Sequence, residues 1–354
     1  EEWRFTPVKK LAPVFADAPT EDGALQIEVD APQAWQAPAL GRTEAPRGTV
    51  LRPADRAAVV GSANAESATH LVIPQDEERS QPVTVRLRGQ AEGRRANSHL
   101  VIEARPNSHA TVVLEHTGTA HHNGNVEVIV GDGASLSVIS LQLWEDSAIH
   151  VGQHDAQVGR DAHYRHVNVT LGGGIVRLNA NVRYAGEGAD AQLFGLYFAD
   201  AGQHLEHRTY IDHNTAKATS NVLYKGALQG DKGSKLPEAR TCWVGDVLIR
   251  SNAQGTDTYE TNNNLILTEG ARADAIPNLE IETGEITGAG HAATVGRFDD
   301  IELFYLMSRG IPEAEARRLI IRGFFNEVIH RIPVQSLSEE LENRISEELE
   351  KISA

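Results

Sequence analysis

The sequence contains one cysteine, one methionine and few aromatic residues, and no long apolar run. Cys242 alone cannot form a disulfide within the chain, so a disulfide framework is excluded and we expect a reducing, cytoplasmic location. Aromatic residues make up 5% of the chain, which favours thin, closely stacked structure over a bulky globular core. No window approaches the roughly 18–20 apolar residues of a membrane span, so we expect no membrane partner.

Basic residues are scarce relative to acidic ones. Lys and Arg number 33 against 49 Asp and Glu, which gives a net charge of −16. Binding to nucleic acid through charge needs clustered Lys and Arg, so we expect no nucleic-acid partner. Apolar residues make up 40% of the 354 residues. That share allows a substantial core, and the length favours about two domains.

A repeat occupies the middle of the chain. Four turn-like segments align by eye: GDGASLSVISLQL, GRDAHYRHVNVTL, GEGADAQLFGLYF and HNTAKATSNVLYK. Their shared alanines, Ala134, Ala162, Ala189 and Ala216, are 28, 27 and 27 residues apart. The fifth, seventh and ninth positions after each of the first three alanines are apolar, whereas the fourth segment keeps only Leu223, at its seventh position. The nine apolar residues of the first three segments are Ile139, Leu141, Leu143, Val167, Val169, Leu171, Phe194, Leu196 and Phe198.

This repeat predicts a mainly β fold. Alternation with period 2 is typical of a strand with one buried face, and the Gly, Asp and Asn before each alanine are turn formers. Short strands joined by turns at a constant period indicate a parallel solenoid, in which each coil packs on its neighbours. We therefore predict a parallel β-helix over residues 61–297. A twisted antiparallel sandwich is the alternative.

The two ends of the chain differ from the middle. Residues 1–60 are rich in Ala and Pro with little periodicity, so we expect a segment that leads in or wraps. The pattern turns helical from Asp299, and residues 298–354 predict a C-terminal helical domain with Gly310 and Pro312 at its first helix boundary. The last helix carries an apolar stripe that docks either on its own domain or in a partner groove. This stripe consists of Leu337, Leu341, Ile345, Leu349 and Ile352.

Several catalytic motifs are missing. The chain has no GxxxxGK[ST] loop, so we expect it to bind no nucleotide itself. The stretch GEGADA at residues 186–191 fits a loose dinucleotide fingerprint, but it lies on a turn of the repeat, which accounts for it. HExxH and CxxC motifs are absent. Cys242 lacks a nearby histidine in sequence and is interpreted as a small buried hydrophobe.

Histidine is the enriched polar ligand type, with 15 residues. His204, His207 and His213 could meet on neighbouring strands and bind a divalent metal. The alternative, which we prefer for these and for His163 and His166, is a set of half-exposed turn histidines without a metal.

His291 is a separate candidate. It lies in GAGHAATVGRFDD, a run of small residues at the predicted junction of solenoid and helices. Small neighbours leave an imidazole exposed to a second chain, so His291 is our candidate metal ligand.

Three segments resemble the SufB/SufD family of iron–sulfur cluster assembly proteins. The run from Pro277 to Gly323 is similar to the family's C-terminal signature, and HRTYIDHNTAKATSNVLYKGAL is similar to its central coils. Trp3-Arg4-Phe5-Thr6 resembles the lead-in of the SufD branch, whose helical N-terminal region we expect to be truncated ahead of Glu1. The likeness covers most of the chain. The SufD branch matches better than SufB, because the only thiol, Cys242, lies outside the C-terminal run.

The resemblance implies a right-handed parallel β-helix followed by a helical domain, in a non-catalytic scaffold subunit. Its partners would be SufB, paired through the β-helix, and the ATPase SufC, bound through the C-terminal helices. A transient iron–sulfur cluster or iron would lie at the SufB interface, with a homodimer forming when SufB is absent. His291 matches the histidine of the family's SHGATVG-type motif. Many relatives have a cysteine two residues earlier, where this chain has Ala289, so the other ligands would come from SufB.

Two other functions compete with this one. A β-helix carbohydrate lyase or hydrolase would need clustered carboxylates, often with Ca²⁺, or aromatic platforms along a groove. A homodimeric solenoid that presents a metal through His204, His207 and His213 is the second.

Overall fold

The computed structural model describes residues 3–298 and 300–350. Within them the chain forms sixteen strands, two short 3-10 turns and four α-helices. The strands are β1 (Leu25–Asp30), β2 (Gln36–Leu40), β3 (Ala68–Ile73), β4 (Val83–Ala104), β5 (His109–Val130), β6 (Ser135–Trp144), β7 (Ile149–Val158), β8 (His163–Thr170), β9 (Ile175–Tyr184), β10 (Asp190–Ala199), β11 (His204–His213), β12 (Thr219–Leu228), β13 (Ala239–Ile249), β14 (Asp257–Ile266), β15 (Ala271–Ile281) and β16 (Gly288–Arg297). The helices are α1 (Arg56–Asn64), α2 (Asp300–Ser308), α3 (Glu313–Ile329) and α4 (Gln335–Glu350).

The strands form one continuous sheet folded into a flattened solenoid. The sheet order is β15-β13-β11-β9-β7-β5-β6-β8-β10-β12-β14-β16. Even-numbered strands from β6 to β16 pair in parallel as a first wall, and odd-numbered strands from β7 to β15 pair in parallel as a second wall. The long β5 bends and pairs with both walls. A parallel β-helix with C-terminal helices is thereby confirmed, and the antiparallel sandwich is wrong.

Coil-to-coil register corrects one alignment made from the sequence. The carbonyl of Ala134 accepts a hydrogen bond from the His163 N–H, and that of Ala189 accepts one from the Thr219 N–H. The fourth equivalent alanine is therefore Ala218, which is fully buried, and not the half-buried Ala216. The last spacing is 29 residues, because the turn before β12 is two residues longer than the alignment assumed. Leu223 then occupies the fifth position and lies beside Phe194.

Both faces of the first wall are buried. Its inward side chains, such as Leu136 and Val138, belong to the core between the walls. Its outward apolar stripe, which includes Ile139 and Phe194, is covered by α3 and α4. The stripe of the last helix packs here, with Leu341 fully buried, so its docking on the chain's own solenoid is confirmed for the described residues. Ile352 lies outside the described residues.

The N-terminal segment covers the outer face of the second wall. The Arg177 guanidinium pairs with the carboxylates of Asp55 and Glu206, and the Thr6 hydroxyl donates to Glu206 at 2.6 Å. Glu127 accepts backbone N–H groups from residues 48, 50 and 51 at 2.6–2.9 Å. These buried acids on strands β5 and β11 therefore hold the wrapping segment through paired, charge-assisted hydrogen bonds.

The C-terminal end of the solenoid is open in the described part of the chain. Strands β15 and β16 each pair on one side, with β13 and β14 respectively. Their side chains are mostly half-buried or exposed, and Ile281 and Val295 are among the exposed large apolar residues. None of the described helices combines the length and apolarity needed to cross a membrane.

Candidate functional site

His291 lies on the inner face of the last coil. It is in register with Glu260 of β14, and neighbouring residues in parallel register point to the same side of a sheet. The equivalent inward residues of earlier coils are covered by the next coil. No described strand follows β16 in its wall, so 42% of the His291 side chain is exposed. The solenoid thus presents this imidazole at its open end.

The inward neighbour of His291 is a buried acid. The Glu260 residue is 1% exposed, and its Oε1 lies 3.9 Å from Nδ1 of His291. Neither carboxyl oxygen has a hydrogen-bond partner of normal geometry. Burial, together with the charge of Asp246, raises the pKa of Glu260 to about 8, partly opposed by the nearby Asn278 backbone amide. Glu260 is therefore mostly protonated at neutral pH.

Glycine makes room for this carboxyl group. A Cβ at Gly245 of β13 would lie 2.4 Å from Oε2 of Glu260 and 2.3 Å from the Trp243 ring. Any larger residue at position 245 would displace the acid or the indole.

An open cavity of about 580 Å³ adjoins His291. Its polar lining includes Tyr210, Asp246, Asn278 and Glu280, and the Asn278 amide donates to Asp246 at 2.8 Å. Carboxylate oxygens and an imidazole nitrogen together suit a borderline divalent cation such as Fe(II). The cavity gives such an ion a route from solvent to His291.

Ala289 shares the inner face with His291, because alternate residues of a strand point to the same side. Its methyl group packs at the edge of the main core. A thiol at this position would lie on the face that carries His291. This chain offers no sulfur ligand there.

The three histidines of β11 do not form a common site. His204 points outward to Glu206, with 3.2 Å between Nε2 and Oε2. His207 and His213 point inward, where their Nε2 atoms lie 2.9 Å from the hydroxyls of Thr170 and Ser220. All three are buried on a strand, so the prediction of half-exposed turn residues is wrong. The prediction failed because β11 is covered on both faces, so that its outward and its inward histidines are both buried.

His163 and His166 lie on opposite faces of β8. His163 of β8 is exposed, with Nδ1 3.7 Å from a carboxylate oxygen of Asp190. His166 is buried, and its Nε2 lies 3.1 Å from Nδ1 of His154. The turn-residue prediction is therefore wrong for His166 as well.

A buried three-histidine cluster escaped the sequence reasoning. Potential ligand atoms of His116, His122 and His150 lie within 4.8 Å of one another inside the solenoid. Burial holds the pKa of all three imidazoles well below the usual value, so they are neutral. The Trp144 indole N–H donates to Nδ1 of His150 at 3.1 Å, which occupies that lone pair and places the ring proton on Nε2. Nε2 of His122 also lies 2.8 Å from the Ser98 hydroxyl. The cluster thus offers at most two free lone pairs, too few for a closed tetrahedral metal site.

Cys242 is fully buried on the outer face of β13. Burial raises the pKa of its thiol far above the usual value. A thiol held protonated is a poor nucleophile and a poor metal ligand. Its interpretation as a small buried hydrophobe is confirmed.

Residues 87–324 match the family described as SUF system FeS cluster assembly, SufBD core domain. The chain is 48% identical over 350 residues to a Mycobacterium tuberculosis protein named iron-sulfur cluster assembly SufBD family protein, which covers 99% of this chain and 88% of the relative. It is 28% identical over 295 residues to Escherichia coli iron-sulfur cluster assembly protein SufD, covering 80% of this chain and 67% of the relative. Bacillus subtilis SufD is 30% identical over 250 residues, covering 69% and 55%.

The matched region extends from β4 into α3 and so includes the strand that carries His291. The chain therefore belongs to the SufBD family of iron–sulfur cluster assembly proteins.

Proposed function

We propose that this chain is a SufD-type, non-catalytic scaffold subunit of a complex with SufB and the ATPase SufC. In this proposal it contributes His291 to iron or a nascent iron–sulfur cluster at the SufB interface. The observation that carries it is the half-exposed imidazole of His291 at the open end of the solenoid, beside a cavity with carboxylate lining. The family match and the similarity to two SufD proteins support it.

The open end supports pairing with a second β-helix. Among the described strands, β16 pairs with β14 alone, and an unpaired strand edge is a ready template for another chain. Val295 and Ile281 expose 48% and 44% of their surface at this end. The partner in the assembly complex is SufB, and a second copy of this chain takes its place when SufB is absent.

The exposed face of α2 supports docking of SufC. Phe304 is 72% exposed, and Tyr305 and Met307 are also largely exposed. Large apolar residues clustered on one short helix indicate a protein interaction surface.

The chemistry at His291 is that of a borderline ligand. A neutral imidazole nitrogen binds Fe(II) and leaves coordination positions for sulfide or for thiolates. Since this chain has no thiol at position 289 and Cys242 is buried, thiolate ligands come from SufB. The iron is cargo in this scheme, and this chain's residues hold and orient it.

The test is co-expression with SufB and SufC from the same source, followed by affinity purification and mass determination. We expect a stable complex that contains all three proteins. A homodimer that retains neither partner would contradict the scaffold proposal.

We expect His291→Ala to leave the complex intact but to reduce its iron and acid-labile sulfide to near background. One exposed imidazole contributes little to a large interface, whereas a lost ligand weakens metal binding strongly. The measurement is iron and sulfide content after anaerobic purification. His163→Ala, which also removes an exposed histidine, is the matched control, and equal loss in both variants would contradict the ligand role.

A further inference from the structure

The described part of the chain contains six buried acidic residues, and five of them have protein partners. Asp55, Glu127, Asp155, Glu206 and Asp212 each accept hydrogen bonds from guanidinium, amide, hydroxyl or backbone groups. Glu260 is the sixth, and neither of its carboxyl oxygens has a partner of normal geometry. Buried polar groups in native proteins are nearly always satisfied, so an exception calls for a ligand that the chain itself does not supply.

The location of this exception is informative. Glu260 lies one coil in from the open end of the solenoid, in register with His291. Its Oε1 faces the exposed imidazole at 3.9 Å, while Oε2 fits against Gly245. The unsatisfied carboxyl group therefore points toward an inward side chain at this end that solvent and a second chain can reach.

We infer that Glu260 and His291 together form a carboxylate–imidazole site for a divalent first-row cation, an inference that rests on the proposed role of His291. Metal–nitrogen and metal–oxygen bonds of about 2.0–2.2 Å place two ligand atoms on one ion about 3 Å apart or slightly more. The observed 3.9 Å closes to this range by a small rotation of His291, whose strand is held on one side only.

The chemistry of the pair selects the cation class. One carboxylate oxygen and one imidazole nitrogen suit Fe(II), Mn(II), Co(II) or Zn(II) better than the all-oxygen sites that Ca²⁺ and Mg²⁺ prefer. Two protein ligands leave the remaining positions open toward the cavity beside His291. The ion is therefore held by this chain and completed by groups from outside it.

The experiment uses the purified full chain alone and Co(II), which reports its ligands through visible absorption. We expect the wild-type chain to bind one Co(II), and Glu260→Gln and His291→Ala each to weaken binding by about tenfold or more. Glu280→Gln is the matched control, since it removes an exposed carboxylate of the same cavity, and we expect less than a twofold change. The Co(II) absorption spectrum adds a readout that a loss of stability alone would not move.

Two outcomes overturn the inference: a wild-type chain that binds no Co(II), and a Glu260→Gln chain that binds it with wild-type affinity and spectrum. Neither outcome is the failure of the scaffold proposal, which is measured separately by co-purification with SufB and SufC. If the wild-type chain forms the complex with SufB and SufC, and the Glu260→Gln chain binds Co(II) normally, then the scaffold proposal stands. In that case only the assignment of Glu260 as a ligand is wrong.

Discussion

Lowering the pH from 7.5 to 5 is expected to unfold the solenoid. Seven histidines of the described chain lie inside it, and burial lowers the pKa of each below the usual value of 6.5. They are His116, His122, His150, His154, His166, His207 and His213. Below pH 6.5 these histidines bind protons in the unfolded chain but stay neutral in the folded chain. The free energy of unfolding therefore decreases as the pH is lowered. At pH 5 each histidine costs about 2 kcal/mol of folding free energy, and the seven together cost on the order of 10 kcal/mol, comparable to the whole stability of a typical domain.

Urea unfolding at several pH values between 7.5 and 5 measures this effect. His207→Asn is expected to reduce the slope by one proton, about 1.4 kcal/mol per pH unit, because burial lowers the pKa of His207 to about 3. His163→Asn is the control, since it removes an exposed imidazole that lies outside the solenoid interior. A free energy of unfolding that stays constant over this range would mean that the interior histidines are charged in the folded protein.

The fold was predictable because the repeat carries two independent signals, one for the strands and one for the length of a coil. Alternating apolar residues predicted the strands, and the alanine spacing predicted the coil length. The error at Ala216 has a local cause: the segment HNTAKAT carries two alanines, Ala216 and Ala218, and a shift of two residues preserves the alternation. The pairing of β10 with β12, seen in the backbone hydrogen bond from Thr219 to Ala189, distinguishes the two registers.

The candidate site was predictable in part. His291 was found from its small neighbours and from the family resemblance, whereas Glu260 was missed because nothing beside it in sequence marks it as a ligand. The alternation of residues along β14 does place Glu260 on the inner face, together with Asn262 and Asn264. These two asparagines form hydrogen bonds with each other and with Tyr197. Which inward residue remains unsatisfied depends on contacts between coils, and these are not readable from one sequence.

Part of the histidine cluster inside the solenoid could have been predicted from the spacing of its residues in the sequence. His122 and His150 are 28 residues apart, the length of one coil, and the structure places them side by side on β5 and β7. His116 reaches them across the bend of β5, where spacing along the sequence no longer reports distance in space. Matching polar residues one coil apart therefore predicts interior contacts, but only within a straight strand.

Replacing Glu260 by glutamine is expected to stabilise the protein at pH 8 and to change its stability little at pH 4.5. The unfolded carboxyl has a pKa near 4.5, whereas burial and Asp246 raise the folded pKa to about 8. Between these values the folded wild type keeps a proton that the unfolded chain has lost, so its free energy of unfolding falls as the pH rises through this window. The amide introduced by Glu260→Gln does not titrate, and the gap between variant and wild type widens to on the order of 2–4 kcal/mol at pH 8.

Melting temperatures of the two proteins at several pH values test this, and taking the difference cancels the histidine contribution that both share. A gap independent of pH would mean that Glu260 is ionised in the folded protein. A widening gap has a functional consequence, because it shows a residue kept at a cost in stability that a neutral isostere removes. Stability is lost at sites that need a strained or unsatisfied group for function. If the same substitution stabilises the fold and weakens Co(II) binding, Glu260 is held in place for the cation and not for the solenoid.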